Sequence, residues 1–317
     1  MQDEQNLKCR EYTGTDAINV EDVALIFEGG GTRAAHTAGV LNTLLDNGIY
    51  FKDVFGISAG SSHTINYVSR DTVRARASFV EFMGLPGIAG ARQFLRGKGY
   101  FNAEDIYQRS GLADGLLPFN YDAFMASPSE MHIAAYQVDT GATATWTRAD
   151  VHSIHDLMNY VQASSSMPIA MPIVRFGGHL YYDGGLGSNW GIALDEARAL
   201  GYTRFFVVCT QEKGYRKKKP RHPWLNYLAL PAHPGVARRC NERWSHYNAL
   251  YDELDTLEAS GEAIVYHPEE MPVGNTCCDV AVLQGLYEQG YLQAHRELPR
   301  WKEFLGLQEQ ASENSST

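Results

Sequence analysis

The sequence predicts an α/β fold built around a mainly parallel sheet, and three observations carry that expectation. Short apolar runs alternate with helically spaced apolar residues along most of the 317 residues. Two of these runs end in glycine-rich turns that lead straight into helical patterns, as strands of a parallel sheet do. No internal repeat, Pro/Ser-rich linker or low-complexity stretch breaks the alternation before a polar tail. With 44% hydrophobic residues the chain can bury a large core. A single domain over residues 21–307 is therefore expected, between a polar N-terminal extension at 1–20 and a disordered tail at 308–317.

In chain order, Val23-Ala24-Leu25-Ile26-Phe27 reads as the first strand, ending at Glu28-Gly29-Gly30-Gly31-Thr32-Arg33-Ala34. Ala34, Ala35, Ala38, Leu41, Leu44 and Leu45 then recur at helical spacing up to Gly48, which suits a C-terminal cap. Phe51 and Val54-Phe55 form a second apolar stretch before Gly56-Ile57-Ser58-Ala59-Gly60, and 61–70 continues as a helix. The segment 72–120 carries Phe82, Met83, Leu85, Ile88, Phe94 and Leu95, which fits either a cap over a cleft or a helical excursion in the core. Residues 173–176 and 179–182, joined by Gly177-Gly178, read as a hairpin, and 204–210 as a further strand. In the last third, Cys240, Trp244, Tyr247, Tyr251 and Leu254 advance by three or four positions. Val280, Leu283, Tyr287, Tyr291, Ala294 and Leu298 do the same, so both sets are expected as amphipathic helices covering the sheet.

The two turns carry the chemistry. A serine on a sharp strand-to-helix turn needs small neighbours, because its backbone is strained and the helix packs close, and Gly56 and Gly60 meet that need around Ser58. The upstream Gly29-Gly30-Gly31 turn offers backbone amides and a helix N-terminus for an oxyanion. A serine hydroxyl attacks an ester poorly without a base. Asp183 is the best candidate, fixed between the end of the hairpin and the tight exit Gly184-Gly185.

Two other readings compete. Glycines after a strand also seat dinucleotide phosphates, but Ala34 stands where the last glycine of Gly-x-Gly-x-x-Gly belongs, and Asp46 and Asp53 are loose candidates for the ribose carboxylate. A histidine base would give a Ser-His-Asp arrangement. Of the 11 histidines, however, His63 follows Ser58 on the same helix and points away from it. His179 lies four strand positions before Asp183, and His246, His267 and His295 have no glycine-turn context.

With Ser58, Asp183 and the triple glycine in view, the chain resembles the patatin-like phospholipases, whose signature is a glycine-rich oxyanion motif, Gly-x-Ser-x-Gly and a later Asp-Gly-Gly or Asp-Gly-Ala. Ala163-Ser164-Ser165-Ser166-Met167-Pro168 resembles the block before that family's catalytic aspartate. Leu117-Pro118-Phe119-Asn120-Tyr121 and Val138-Asp139-Thr140-Gly141 resemble elements of its bacterial members. One departure is Ala34, where the first motif usually closes with glycine. The resemblance implies a three-layer α/β/α architecture and a dyad without histidine, with Ser58 as nucleophile and Asp183 as general base. It implies oxyanion donors in the amides of Gly30, Gly31 and Arg33, with Gly29, Gly56, Gly60, Gly184 and Gly185 supporting the motifs. The activity implied is hydrolysis of fatty-acyl esters through an acyl-enzyme, without cofactor or metal. A general carboxylesterase or acyltransferase with the same dyad, and a lipid-binding module with a dead site, stay open beside it. The Arg33 side chain suits a structural bond in its loop or contact with a lipid phosphate.

Charge and cysteine content bound the partners. A net charge of −10 argues against a nucleic-acid binder, whose affinity comes from neutralising phosphates. Five cysteines, an odd number without C-x-x-C spacing, suggest a reducing compartment and no zinc site. No apolar run approaches the ~18 residues of a membrane span, so a cytoplasmic protein is expected. The segment 213–221 is unusually basic for so acidic a chain, and Trp224, Leu225 and Leu228 follow it. Arg216, Lys217, Lys218, Lys219 and Trp224 are therefore expected to dock on an anionic membrane at its inner surface, against the alternative of a solvated basic loop.

Overall fold

The computed structural model describes residues 16–90 and 100–307. The expected tail at 308–317, Phe94, Leu95 and most of the expected N-terminal extension lie outside the described residues. Val20, the last residue of that extension, is buried and bridges to Phe51.

The elements run β1 (Val23–Phe27), α1 (Ala34–Asp46), β2 (Asp53–Gly56), α2 (Ala59–Val68), α3 (Thr72–Ala77), α4 (Tyr121–Ala126), β3 (Glu130–Gln137), β4 (Thr143–Trp146) and α5 (Ile154–Ser165). They continue with β5 (Val174–Phe176), β6 (His179–Tyr182), α6 (Leu194–Ala199), β7 (Arg204–Val208), α7 (Trp224–Ala229), α8 (Pro234–Ser260), β8 (Ala263–Tyr266) and α9 (Val280–Phe304). The sheet order is β5-β6-β3-β2-β1-β7-β8, with β4 paired to β3 as well. Strands β3, β2, β1, β7 and β8 are parallel, while β4 and β6 pair antiparallel with β3 and β5 pairs antiparallel with β6.

The layering follows from β1. All five of its residues are buried, as a central strand covered on both faces requires. Successive side chains point to opposite faces. Val23, Leu25 and Phe27 pack with Leu41 and Leu44 of α1, Tyr67 of α2 and Trp301 of α9. Ala24 and Ile26 pack with Leu194 of α6 and Tyr247, Tyr251 and Leu254 of α8. Helices thus cover both sides of a mostly parallel sheet.

Several features differ from the pattern reading, which also assigned nothing to β3, β4 or α5. Helix α1 begins at Ala34, after a 3₁₀ turn over Gly31–Arg33 entered through Gly31 at φ 58°. Helix α2 begins at Ala59, directly after Ser58. Strand β8 fills an edge that no expectation assigned, because its four apolar residues are too few for periodicity to mark. The described residues of the segment 72–120 contribute to a third apolar cluster in which Phe79, Phe82, Met83 and Leu117 meet Ala34, Ala59 and Leu283. The turns after β1, β2 and β7 all open at the carboxyl ends of parallel strands, where α/β sheets place their clefts.

Candidate active site

Strand β2 delivers Ser58 onto the turn at φ 56° and ψ −126°, a conformation that costs a non-glycine residue about 1–3 kcal/mol and persists only when its neighbours fix it. Its amide donates to Ser164 Oγ at 2.9 Å, and Ser61 Oγ donates to its carbonyl at 2.6 Å. The flanking glycines serve close backbone approach. A Cβ on Gly56 would stand 2.2 Å from the Gly60 carbonyl oxygen, and one on Gly60 would stand 2.2 Å from the Phe27 carbonyl oxygen.

Asp183 meets Ser58 across 125 positions of chain, with Ser58 Oγ donating to Asp183 Oδ2 at 2.6 Å. The Gly185 amide donates to Oδ1 at 2.7 Å, and the Asp183 amide donates to the Ser166 carbonyl at 2.8 Å. The serine block at the end of α5 therefore grips both partners, through Ser164 on one and Ser166 on the other. Ser58 and Asp183 are 8% and 6% exposed and both line a cleft. Burial raises the Asp183 carboxyl above its ordinary value, against the nearby Arg243, the Ser58 hydrogen bond, the Gly185 amide and Lys217, which favour the ionised form.

The glycine loop beside this pair is held at both ends. The Gly29 amide donates to the Gly191 carbonyl at 3.1 Å and the Thr32 amide to the Asn275 carbonyl at 3.2 Å. Between them, no group among the described residues accepts from the amides of Gly30 and Gly31, and both glycines line a cleft with Ser58. Asn275 closes over the loop so tightly that a Cβ on Gly31 would stand 2.3 Å from its carbonyl oxygen. Beneath the loop, the buried Glu28 carboxylate accepts from the Thr210 amide at 2.6 Å, Tyr247 Oη at 2.5 Å and Tyr251 Oη at 2.9 Å. This ties the loop to β7 and α8.

Two clefts of contrasting character meet at Ser58 and Gly31. One is apolar, lined by Ala59, Phe79, Phe82, Met83, Phe101 and Met171 among others. The other is polar, of about 250 Å³, lined by the glycine loop, Asp183, Arg33, Lys217 and Arg243 among others. Among the described residues no histidine lines either cleft. His63 is buried between the Phe27 and Phe79 rings and bonds Thr37 and the Ala34 carbonyl, while His246 stacks on Trp190. No set of His, Cys, Asp or Glu that could hold a metal ion occurs among the described residues.

The basic loop divides differently from the sequence expectation. Arg216 is engaged by Asp252 and Asp255 at 2.5 and 2.9 Å, and Lys217 turns inward, half-buried, with Nζ 3.8 Å above the Tyr247 ring. These two are withdrawn because α8 presents carboxylates and an aromatic face to them. Lys218 and Lys219 remain exposed, as does Trp224 at 56%. Burial, aided by Arg243, lowers the Lys217 ammonium to about 7, against the pull of Glu28. Arg243, which sequence reasoning passed over, stands with Asp183 around the Gly185 Cα: a Cβ there would lie 2.6 Å from Arg243 Nη2 and 2.8 Å from Asp183 Oδ1. Its signal was its place four residues before Tyr247, on the same helical face.

Comparison with known proteins places the chain. No curated protein matches it. Residues 233–306 match a domain of unknown function. Among solved structures, VipD from Legionella pneumophila is similar, at 13% identity and a TM-score of 0.47 over 90% of this chain and 68% of that one. No helix among the described residues is long and apolar enough to cross a membrane. Residues 25–195, more than half of the 317, match the patatin-like phospholipase family, and the match takes in the glycine loop, Ser58 and Asp183. The chain belongs to the patatin-like phospholipase family, and by that membership is a lipid acyl hydrolase.

Proposed function

We propose that the protein cleaves fatty-acyl esters of lipids through a Ser58/Asp183 dyad and an acyl-enzyme. The observation that carries this reading is the 2.6 Å hydrogen bond from Ser58 Oγ to Asp183 Oδ2 at the meeting point of an apolar and a polar cleft. The acyl chain lies along Phe79, Phe82, Met83 and Phe101, and the alcohol part lies toward Arg33, Lys217 and Arg243. Ser58 attacks the carbonyl carbon as its proton passes to Asp183, whose raised proton affinity suits the task. The oxyanion takes hydrogen bonds from the amides of Gly30 and Gly31, with that of Arg33, the last residue of the 3₁₀ turn before α1, as a third donor. The Ser58 amide is committed to Ser164 and so holds the nucleophile in place. Loss of the alcohol, on reprotonation by Asp183, leaves the acyl-enzyme, and Asp183 then takes a proton from the attacking water.

The test uses purified protein on mixed phospholipids, with released fatty acid read by mass spectrometry. Ser58→Ala and Asp183→Asn are each expected to lower turnover by at least ~10²-fold, and a fluorophosphonate is expected to label Ser58 alone. Undiminished turnover by Ser58→Ala, or labelling of another residue, would overturn the dyad.

Contact with an anionic membrane is proposed through a smaller surface than the whole basic loop. Trp224, Leu225 and Leu228 are 56%, 48% and 68% exposed, beside exposed Lys218 and Lys219. Each lysine near such a surface contributes on the order of 1 kcal/mol. Lys218→Glu/Lys219→Glu with Trp224→Ser is expected to reduce sedimentation with phosphatidylglycerol vesicles, and unchanged sedimentation would remove the proposal.

A further inference from the structure

One face of α8 is built into the candidate active site. At successive intervals of four, Arg239, Arg243, Tyr247 and Tyr251 share that face. Arg239 donates to the carbonyls of Leu186 and Gly187 at 2.7 and 2.6 Å, pinning the turn that follows Asp183. Tyr247 and Tyr251 hold Glu28 beneath the glycine loop. Asn248 receives the Lys217 amide at 2.7 Å and donates to its carbonyl at 3.0 Å, while Tyr247 carries the ammonium on its ring. None of these α8 residues, nor Lys217, lies within the family match at 25–195, and the α8 residues all lie in the 233–306 region of unknown function.

The charge count of the polar cleft is lopsided. Arg33, Lys217 and Arg243 line it, and Asp183 is the sole carboxylate among the described lining residues. Glu28 sits behind the loop with its oxygens occupied by Thr210, Tyr247 and Tyr251. Arg243 makes no ion pair among the described residues, and the Nε atoms of both Arg33 and Arg243 are buried without a partner. Held cations in excess over carboxylates, beside a reacting serine, call for an anion on the substrate. An ammonium headgroup would meet two arginines and a lysine there, with Asp183 already engaged by Ser58 and the Gly185 amide.

Resting on the Ser58/Asp183 reading, we propose that Lys217 and Arg243, with Arg33, form a subsite for the phosphate on the alcohol half of the substrate. It selects anionic, amine-free glycerophospholipids over zwitterionic and uncharged esters, and it gives the 233–306 region a role in substrate selection.

The experiment compares kcat/KM on three short-chain esters with the same acyl groups: dihexanoyl phosphatidate, dihexanoyl phosphatidylcholine and dihexanoyl glycerol. Wild type is expected to prefer the phosphatidate by about tenfold or more, the worth of one charge-assisted hydrogen bond. Arg243→Gln and Lys217→Met are each expected to cut that preference several-fold, mainly through KM, and Lys217→Arg to retain it. Equal rates on the three esters by wild type, or an unchanged preference in both charge-removing variants, overturns the subsite. Millimolar inorganic phosphate added with dihexanoyl glycerol separates a lipid-borne phosphate from a free one. No acceleration is expected, and acceleration to the phosphatidate rate would make the cluster a free-anion site and overturn the lipid assignment. Should a variant fold poorly, calorimetric binding of the phosphatidate to Ser58→Ala protein decides the matter, and affinity no greater than for the choline ester overturns the proposal. If the dyad itself is wrong, Ser58→Ala turns over all three esters, an outcome distinct from lost headgroup preference.

Discussion

Replacing Gly60 with alanine asks whether the glycines around Ser58 serve close packing. The new Cβ would stand 2.2 Å from the Phe27 carbonyl oxygen and 2.8 Å from its carbon, about 1 Å short of ordinary contact. Phe27 belongs to β1, paired on both sides by β2 and β7, so the strand cannot yield. The start of α2 must retreat by about 1 Å and carry Ser58, two residues away, with it. Overpacking costs about 1–3 kcal/mol, and alanine returns up to about 1 kcal/mol of helix propensity, leaving a net loss of up to about 2 kcal/mol once that return is realised in full. At roughly 2–4 °C per kcal/mol, the melting temperature falls by a few degrees. Activity falls further, because a 1 Å misplacement at a reacting centre costs about 10²-fold. The assay pairs thermal melts with kcat/KM on a short-chain ester. Gly285→Ala on α9, where a Cβ meets nothing within 4 Å, serves as the control and is expected to gain up to about 1 kcal/mol with activity intact. If Gly60→Ala kept kcat/KM within twofold of wild type, the close-packing account of the turn would be wrong.

Further outcomes follow from the same geometry. Ser164→Ala leaves the buried Ser58 amide without its acceptor and is expected to cost about 1–3 kcal/mol by chemical denaturation while lowering kcat, and wild-type kcat in this variant would deny Ser164 its positioning role. Burial lowers His63 to about 3 and His36 to about 4, so between pH 6.5 and those values the unfolded chain binds protons that the folded chain refuses. Stability is therefore lost as pH falls, by about 2–3 kcal/mol for each at pH 4.5, and His63→Gln should flatten the slope in urea titrations. Lys217, lowered to about 7 among Arg243, Glu28, Arg33 and Asp183, is charged below that pH and neutral above it. The KM for dihexanoyl phosphatidate should rise from pH 6 to pH 8 more steeply than that for dihexanoyl glycerol, and parallel profiles would exclude Lys217 from the phosphate.

The parts of the site that sequence made legible are those where backbone geometry restricts residue choice. Only glycine fits at 56 and 60, where two main chains touch, and at 31, where a positive φ and the Asn275 carbonyl leave no room for a side chain. Such positions leave a mark in one sequence because almost no other residue survives there. The hairpin before Asp183 is marked in the same way by Gly177 and Gly178 at φ 57° and 82°. The sheet's centre was equally readable, because β1 and β7 are continuous apolar runs covered on both faces.

What escaped is the part assembled by long-range packing. Arg243 and Lys217 are common surface residues by type, and nothing local tells a solvated cation from one aimed into a cleft. By sequence Lys217 is indistinguishable from its basic neighbours, because charge runs usually share one environment. Here the environment changes within two residues: Arg216 goes to carboxylates on α8, Lys217 lies on Tyr247, and Lys218 stays in solvent. The partner that separates them begins some 20 residues later, and Tyr247 and Tyr251 read as ordinary core positions because they also pack against Ala24 and Ile26. Their hydroxyls reach Glu28, a charged residue at the end of an apolar strand that is only 2% exposed. A carboxylate so placed requires buried donors from elsewhere in the chain. Its presence beside the glycine loop was the one sequence clue that a distant helix had to close over this site, and the tyrosines of α8 are that closure.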